Sequence, residues 1–245
     1  MNIFISYHHE LNNEHRKYIQ QLVEQLGYND ITPNEITKED DNNLSDEQIR
    51  QKIRDKYLKD VDVTIVIVGR DTKNRKFIDW EIYSTVMDYQ TNNEIKSGGG
   101  IVVINCCLNG NKPIISWILD KELVIKYDGK INRNWSSNIN ELKKEFNFLP
   151  ERLLNSLIDH YDYNHNIKIE NNKPNTKVHD YPHAVFPIIG YDRLKNDKNP
   201  KEILRLAINQ ARKYRQINRK KWNTDKLRRK DNESYNREQF DQIDA

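Results

Sequence analysis

The stretch VDVTIVIVG at residues 61–69 decides the fold. It is β-branched and apolar without a polar residue on every second position. Alternation marks a strand with one wet face, whereas a continuous apolar run predicts a parallel strand covered on both faces. Working outward, two more segments read the same way. Asn2 to Tyr7 predicts a short buried strand that opens the domain, and IVVINCC at 101–107 predicts another, preceded by three glycines at 98–100. Helical patterns lie between these strands. In residues 13–26, Tyr18, Ile19, Leu22, Val23 and Leu26 fall on one stripe, and Gly27 suits the helix stop. Ser45 with Gln48 gives a capping-box signature ahead of Ile49, Ile53 and Tyr57. After the central strand, the polar loop RDTKNRK at 70–76 leads into a third helix, with Ile78, Ile82, Val86 and Tyr89 tracing its apolar face. Shorter strands are expected near Ile31 to Ile36 and at Glu122 to Tyr127.

Strand and helix alternate, so the predicted fold class is α/β with a doubly wound parallel sheet and a C-terminal helical extension. Active groups in such sheets gather at the carboxyl ends of the strands. Here that edge comprises Ser6 to Glu10, Gly69 to Arg75 and Asn105 to Asn111. The second half is less regular. LPERLLNSLIDHY at 149–161 predicts a helix, and residues 162–198 read as an irregular insertion with one strand at Ala184 to Ile189. Asn199, Pro200 and Glu202 supply an N-cap, a proline in the first turn and an acidic third position for a helix running through Ala207, Ala211 and Tyr214. Residues 212–230 carry ten basic residues against one acidic, and residues 231–245 carry five acidic against one basic. The expected organisation is a core over 1–130, a C-terminal part over 131–218 that contains the insertion 162–198, and a charged tail over 219–245.

The 245 residues suit one large domain or one domain with an appendage. With 40 basic and 37 acidic residues, the net charge of +3 does not point to nucleic acid, and the basic stretch reads as an exposed helix face. No apolar run has the length of a membrane span. MNIFISYHHE has no basic segment leading a long apolar one, so the expected location is the cytoplasm. The two cysteines, Cys106 and Cys107, are adjacent and cannot build a disulfide framework or a four-ligand zinc site. No G-x-G-x-x-G follows the first strand and no G-x-x-x-x-G-K-[ST] occurs, which removes the dinucleotide turn and the P-loop. The triple glycine precedes a strand, so it cannot cradle a phosphate at a helix start. His8, His9, Glu10 and His15 do not have H-E-x-x-H spacing, and adjacent histidines on extended chain point apart, so no metal is expected.

Three pieces stand out jointly: IFISYHHE at 3–10, VDVTIVIVG at 61–69 and RKFIDWEI at 75–82. In this order and spacing the chain resembles the Toll/interleukin receptor (TIR) fold, a flavodoxin-like sheet. More closely it resembles the bacterial TIR-like ThsB family of Thoeris anti-phage defence. Arg54 to Leu58, Thr72, Arg75, Lys76 and the run Asp79 to Ile82 also match that family in order, as does LPERLLNSL. The resemblance extends over about residues 1–130 and in patches over 145–215.

The resemblance implies cleavage of the bond between nicotinamide and ribose in NAD, which would be a substrate and not a cofactor. The glutamate that matches the family's catalytic position is Glu81. From periodicity alone Glu81 is a dipole-complementing surface residue; the resemblance makes it the catalytic candidate. Its angle of about 60° from the apolar stripe puts it at the border of the core. Its place early in the helix is expected to favour the ionised form. Ser6, Tyr7 and His8 would lie on the loop after the first strand, where ribose and phosphates could approach, and Arg75 with Lys76 could neutralise a pyrophosphate. Trp80 is a candidate stacking wall, although its position next to Glu81 turns it to another helix face. The resemblance further implies a cyclic ADP-ribose-type signal, a separate ThsA-like effector that responds to it, and a homo-oligomer in which a neighbouring protomer completes the site. Two alternatives stay open: a non-catalytic protein interaction module, and an enzyme like the nucleoside deoxyribosyltransferases.

Overall fold

A strand that is apolar on both faces needs a helix layer on each side, and the arrangement of this chain follows from that requirement. The computed structural model describes residues 1–8, 12–33, 46–69, 72–87, 89–91, 94–96, 98–106, 149–150, 153–154 and 186–217. The elements are β1 (Asn2–Ser6), α1 (Asn13–Gln25), β2 (Asn29–Asp30), and α2 (Asp46–Ile53) continued by a π-helical turn, Arg54–Leu58. They continue with β3 (Val63–Val68), a 3-10 turn (Thr72–Asn74), α3 (Lys76–Val86), β4 (Tyr89–Thr91), β5 (Glu94–Lys96) and β6 (Gly100–Asn105). After these come β7 (Ile188–Gly190), α4 (Tyr191–Asn196) and α5 (Pro200–Ile217). Among the described residues, five strands form one sheet in the order β2-β1-β3-β6-β7, every neighbouring pair parallel. This is the doubly wound order of a flavodoxin-like sheet, whose winding reverses between β1 and β3.

All six residues of β3 are buried, as the continuous apolar run requires. Alternation along the strands assigns the two faces. Ile3, Ile5, Val63, Ile65, Ile67, Val102 and Ile104 pack with α1, α4 and α5 in the larger core. Phe4 faces the other way and packs with Ile53, Leu58, Val61 and Trp80, beneath α2 and α3. Fully burying an aliphatic or aromatic side chain contributes roughly 1.5–3 kcal/mol, so these two layers dominate the stability of the sheet.

The helix ends follow local chemistry. Gly27 takes φ +71°, and its N–H donates to the Glu24 carbonyl (2.9 Å) while the Tyr28 N–H donates to the Val23 carbonyl (3.1 Å). This pair of bonds closes α1 as a Schellman turn, which a residue with a Cβ enters only with strain. The start of α5 is the one expected from Asn199 and Pro200, with Glu202 bonded to Arg205 through both carboxylate oxygens.

The structure departs from the sequence expectations in three places. Tyr89 lies in β4 and not on the third helix: α3 stops at Val86, and Met87 is already extended. A short strand lies at Asn29–Asp30; of the strand expected near 31–36, residues 31–33 are not in a strand and 34–36 lie outside the described residues. The sheet also crosses the expected boundary at 130. β7 pairs with β6 from Val103↔Ile188 to Asn105↔Gly190, and Leu204, Ala207, Ile208 and Ala211 of α5 join the core of β1, β3 and β6. The strand at Ala184 to Ile189 is seen as Ile188–Gly190; the preceding Pro187 lacks an N–H and offers its carbonyl to the Val103 N–H (2.8 Å). Within 149–161, Leu153 and Leu154 are helical. The strand expected at 122–127 and the tail 219–245 lie outside the described residues.

The triple glycine has a packing role. A Cβ on Gly98 would sit 2.6 Å from the Thr85 carbonyl oxygen, and one on Gly100 would sit 2.7 Å from the Ala211 carbonyl. The backbone entering β6 thus lies in direct contact with the end of α3 on one side and with α5 on the other. Among the described residues no helix is long and apolar enough to cross a membrane.

Candidate active site

The site begins with the pleat of β1. Phe4 points into the layer beneath α3, so Ser6, two residues on, points the same way at the carboxyl end of the strand. In register, Ser6 lies beside Val66 of β3, so it stands at the point where the winding of the sheet reverses. Ligands of doubly wound sheets bind outside the strand ends at this position. Facing it, α3 brings Glu81 down onto β1. The Ser6 hydroxyl donates to Oε2 of Glu81 at 2.5 Å, and both side chains are buried, at 1% and 6% exposure. The other carboxylate oxygen, Oε1, takes no hydrogen bond from any described residue.

Three contacts fix the helix that carries Glu81. Thr85 Oγ1 donates to the Glu81 carbonyl (2.8 Å), and the Thr64 hydroxyl of β3 meets Thr85 Oγ1 at 2.7 Å. Since the Thr85 proton goes to the carbonyl, Thr64 is the donor of that second bond. The Gly99 N–H donates to the Thr85 carbonyl (2.6 Å) at the C-terminal end of α3. At the other end, the Arg75 N–H donates to the Thr72 carbonyl (3.1 Å) and the Asp79 N–H donates to the Arg75 carbonyl (3.2 Å).

The electrostatics differ from the expectation. Burial pushes the Glu81 carboxyl up to about 7, and the Ser6 hydroxyl opposes that rise. A favourable dipole had been expected to hold the group ionised. However, α3 begins at Lys76, which leaves Glu81 past the first turn, where the dipole has faded. Loss of water therefore dominates. A carboxyl poised near neutrality, in the crevice of such a sheet, is a pattern met at catalytic sites.

The other candidate residues are distributed around this pair. Tyr7 follows Ser6 but points to the opposite face. It packs against the α1 side with the Arg16 guanidinium 5.8 Å from its ring centroid, and burial raises its phenol pKa. His8 is buried and not solvated, and its carbonyl accepts the Asn12 N–H (2.9 Å). Arg75 is half-buried at the start of α3. Trp80 is 2% exposed and belongs to the core: it packs with Phe4, Ile53, Leu58 and Val61, edge-on to Phe77 at 5.4 Å. A helix turns by about 100° per residue, so when Glu81 meets β1 its neighbour is carried under the helix. The stacking role expected for Trp80 gives way to a packing role. Ser6 is the last residue of β1 and lies inside the protein, bonded to Glu81, in place of the loop position expected for it.

Sequence reasoning passes over Asn12 and places Gly69 at the strand edge without the partner it meets there. Asn12 is 3% exposed, and its amide occupies the space a Cβ on Gly69 would need, with Nδ2 and Oδ1 both 2.9 Å from that point. The Gly69 N–H donates to Thr72 Oγ1 (2.8 Å), which ties the end of β3 to the turn before α3. The glycine directly after an apolar strand was the available signal, since such a glycine often marks a close approach of other atoms. Among the described residues no three His, Cys, Asp or Glu side chains gather as a metal site would require.

A parallel sheet in the order β2-β1-β3-β6-β7, with a buried acid on α3 set against the end of β1, defines a TIR-like α/β domain. The comparison with family models gives its branch: residues 4–111 match the Thoeris protein ThsB, TIR-like domain. Over these residues the chain is similar to the TIR-like domain of ThsB, a protein of Thoeris defence. No curated protein and no solved structure matches significantly.

Proposed function

We propose that this protein cleaves the nicotinamide–ribose bond of NAD and converts the remainder into a cyclic ADP-ribose-type signal, which activates a ThsA-type effector. The observation that carries this reading is the Glu81 carboxylate, buried at the reversal point of the sheet with one oxygen tied to Ser6 and the other taking no hydrogen bond from a described residue. The bond from the anomeric carbon to the pyridinium nitrogen breaks heterolytically. Its electron pair goes to the ring, so nicotinamide leaves neutral and needs no acid. Positive charge then develops on the ribose. A fixed carboxylate in a site of low dielectric stabilises that charge and can accept hydrogen bonds from the ribose hydroxyls, as in glycoside cleavage. A hydroxyl elsewhere in the same ADP-ribose attacks the carbon and loses its proton to solvent, which closes the ring. Water in its place gives ADP-ribose. The similarity of residues 4–111 to the ThsB TIR-like domain supports the substrate class, and Arg75 at the start of α3 is a suitable charge for the pyrophosphate. A second protomer is proposed to complete the site.

The test is to incubate the purified chain with NAD, alone and with lysate of infected cells, and to follow nicotinamide and cyclic products by mass spectrometry. Wild-type protein releases nicotinamide, and Glu81→Gln keeps its fold and loses that release by at least a hundredfold, about 2.7 kcal/mol of barrier. Full activity in Glu81→Gln removes the mechanism. If folded wild-type protein does not consume NAD under either condition, the interaction-module reading is left, or, should deoxynucleosides turn over, the transferase reading.

A further inference from the structure

We infer that Ser6 is a positioning residue: its hydroxyl holds Oε2 of Glu81 and thereby presents Oε1 to the ligand in a fixed orientation. The inference rests on the proposed role of Glu81 but deepens it. Ser6 was first expected to touch substrate. At 1% exposure, with its proton directed at the carboxylate 2.5 Å away, its hydroxyl is committed inside the protein. The bond spans 75 residues of sequence and joins two elements that are each fixed independently. β1 is held on both sides by β2 and β3, and α3 is tied to β3 through Thr85 and Thr64. A short bond between two anchored elements restricts the carboxylate rotamer, which is the orientation a developing charge requires.

Among the described residues, this hydroxyl is the polar group bonded to the acid. Across the interface, β3 and β6 present Thr64, Val66, Val68, Ile101, Val103 and Asn105, all buried and none of them ionisable. α2 and the π-helical turn contribute Ile53 and Leu58 to this side, while Asp55 and Lys56 of the turn are exposed. The charged or titratable groups nearest in sequence are Arg75 and Asp79 on α3 and Tyr7 and His8 after Ser6; burial raises the Glu81 carboxyl and the Ser6 hydroxyl opposes the rise, while burial foremost raises the Tyr7 phenol.

The experiment is a carbon-13 NMR titration of the Glu81 carboxyl in the full chain, as wild type, Ser6→Ala and Ser6→Cys, paired with the pH profile of nicotinamide release. Removing a hydrogen bond to an ionised acid raises its midpoint by about one pH unit, and the thiol, a weak donor, gives an intermediate rise. The acid limb of the activity profile shifts by the same amount, with KM for NAD nearly unchanged. A midpoint that stays put in both variants overturns the inference, as does a Ser6→Ala variant whose KM alone rises, because then the hydroxyl contacts substrate. If Ser6→Ala does not fold, Ser6→Cys decides by the same criterion. If the midpoint moves but wild-type protein never releases nicotinamide, the positioning role stands and the proposed reaction fails.

Discussion

The Arg215 guanidinium donates a hydrogen bond to the Val86 carbonyl at 2.7 Å, across 129 positions of sequence. Val86 closes the helix that carries Glu81, and Arg215 sits in the last turn of α5, so the end of the chain's described part caps the helix of the candidate site. Both groups are buried. Arg215→Met fills much of the same volume but leaves a carbonyl without its donor. A stability loss of about 1–3 kcal/mol is expected. Urea denaturation at neutral pH measures it, and an unchanged midpoint would show the cap to be dispensable.

Glu81 sets a pH dependence of stability. Its pKa is raised by burial from 4.5 to about 7 in the folded state. Below about pH 4.5 the group is protonated in both states and has no effect. Between about pH 4.5 and 7 the unfolded chain releases the proton while the folded chain keeps it, so stability falls as pH rises, and the full penalty stands above 7. The size is on the order of 3 kcal/mol. Glu81→Gln removes it: the variant should unfold at higher urea than wild type at about pH 8, with the difference vanishing near pH 4. A gap that does not depend on pH would contradict the burial account.

Two glycines should respond differently to alanine. At Gly98 a Cβ meets the Thr85 carbonyl oxygen at 2.6 Å and Val86 backbone at 2.7 Å, and neither can move without shifting α3. Gly98→Ala should cost several kcal/mol or prevent folding, in the manner of overpacking. At Gly27 the Cβ has open space and only the positive φ opposes it, so Gly27→Ala should cost about 1–2 kcal/mol. Thermal unfolding ranks the two, and the reverse order would refute the close approach seen at Gly98.

A fragment of residues 1–130 should not fold on its own. It would leave β6 without its β7 partner and would expose the core face that Leu204, Ala207, Ile208 and Ala211 cover. Circular dichroism and amide dispersion of that fragment check this. A cooperative transition like that of the full chain would show that the first part is self-sufficient.

What the sequence made legible divides along physical lines. The run Val63 to Val68 announces a doubly covered parallel strand because burial on both faces removes the alternation. Phe4 could be placed in the core, and Glu81 at its border, from periodicity. The Ser6–Glu81 bond could not be read, because a contact spanning 75 residues depends on the twist and stacking of elements and not on any local pattern. The same holds for Asn12 against Gly69 and Arg215 against Val86. Tyr89 continues the helical spacing of Ile78, Ile82 and Val86, while the backbone at Met87 has already turned away. The edge expected at 130 has a related cause: an irregular stretch in sequence reads as a domain edge, whereas the chain returns through β7 to the sheet it left.

That return has a consequence for synthesis. As the nascent chain leaves the ribosome, β6 emerges at residue 105 with one edge unpaired, and its partner arrives only with residue 188. Until then a strip of exposed hydrogen-bonding edge is open to other chains or to a chaperone. The sheet that carries the candidate site is thus completed only after residue 190 has emerged.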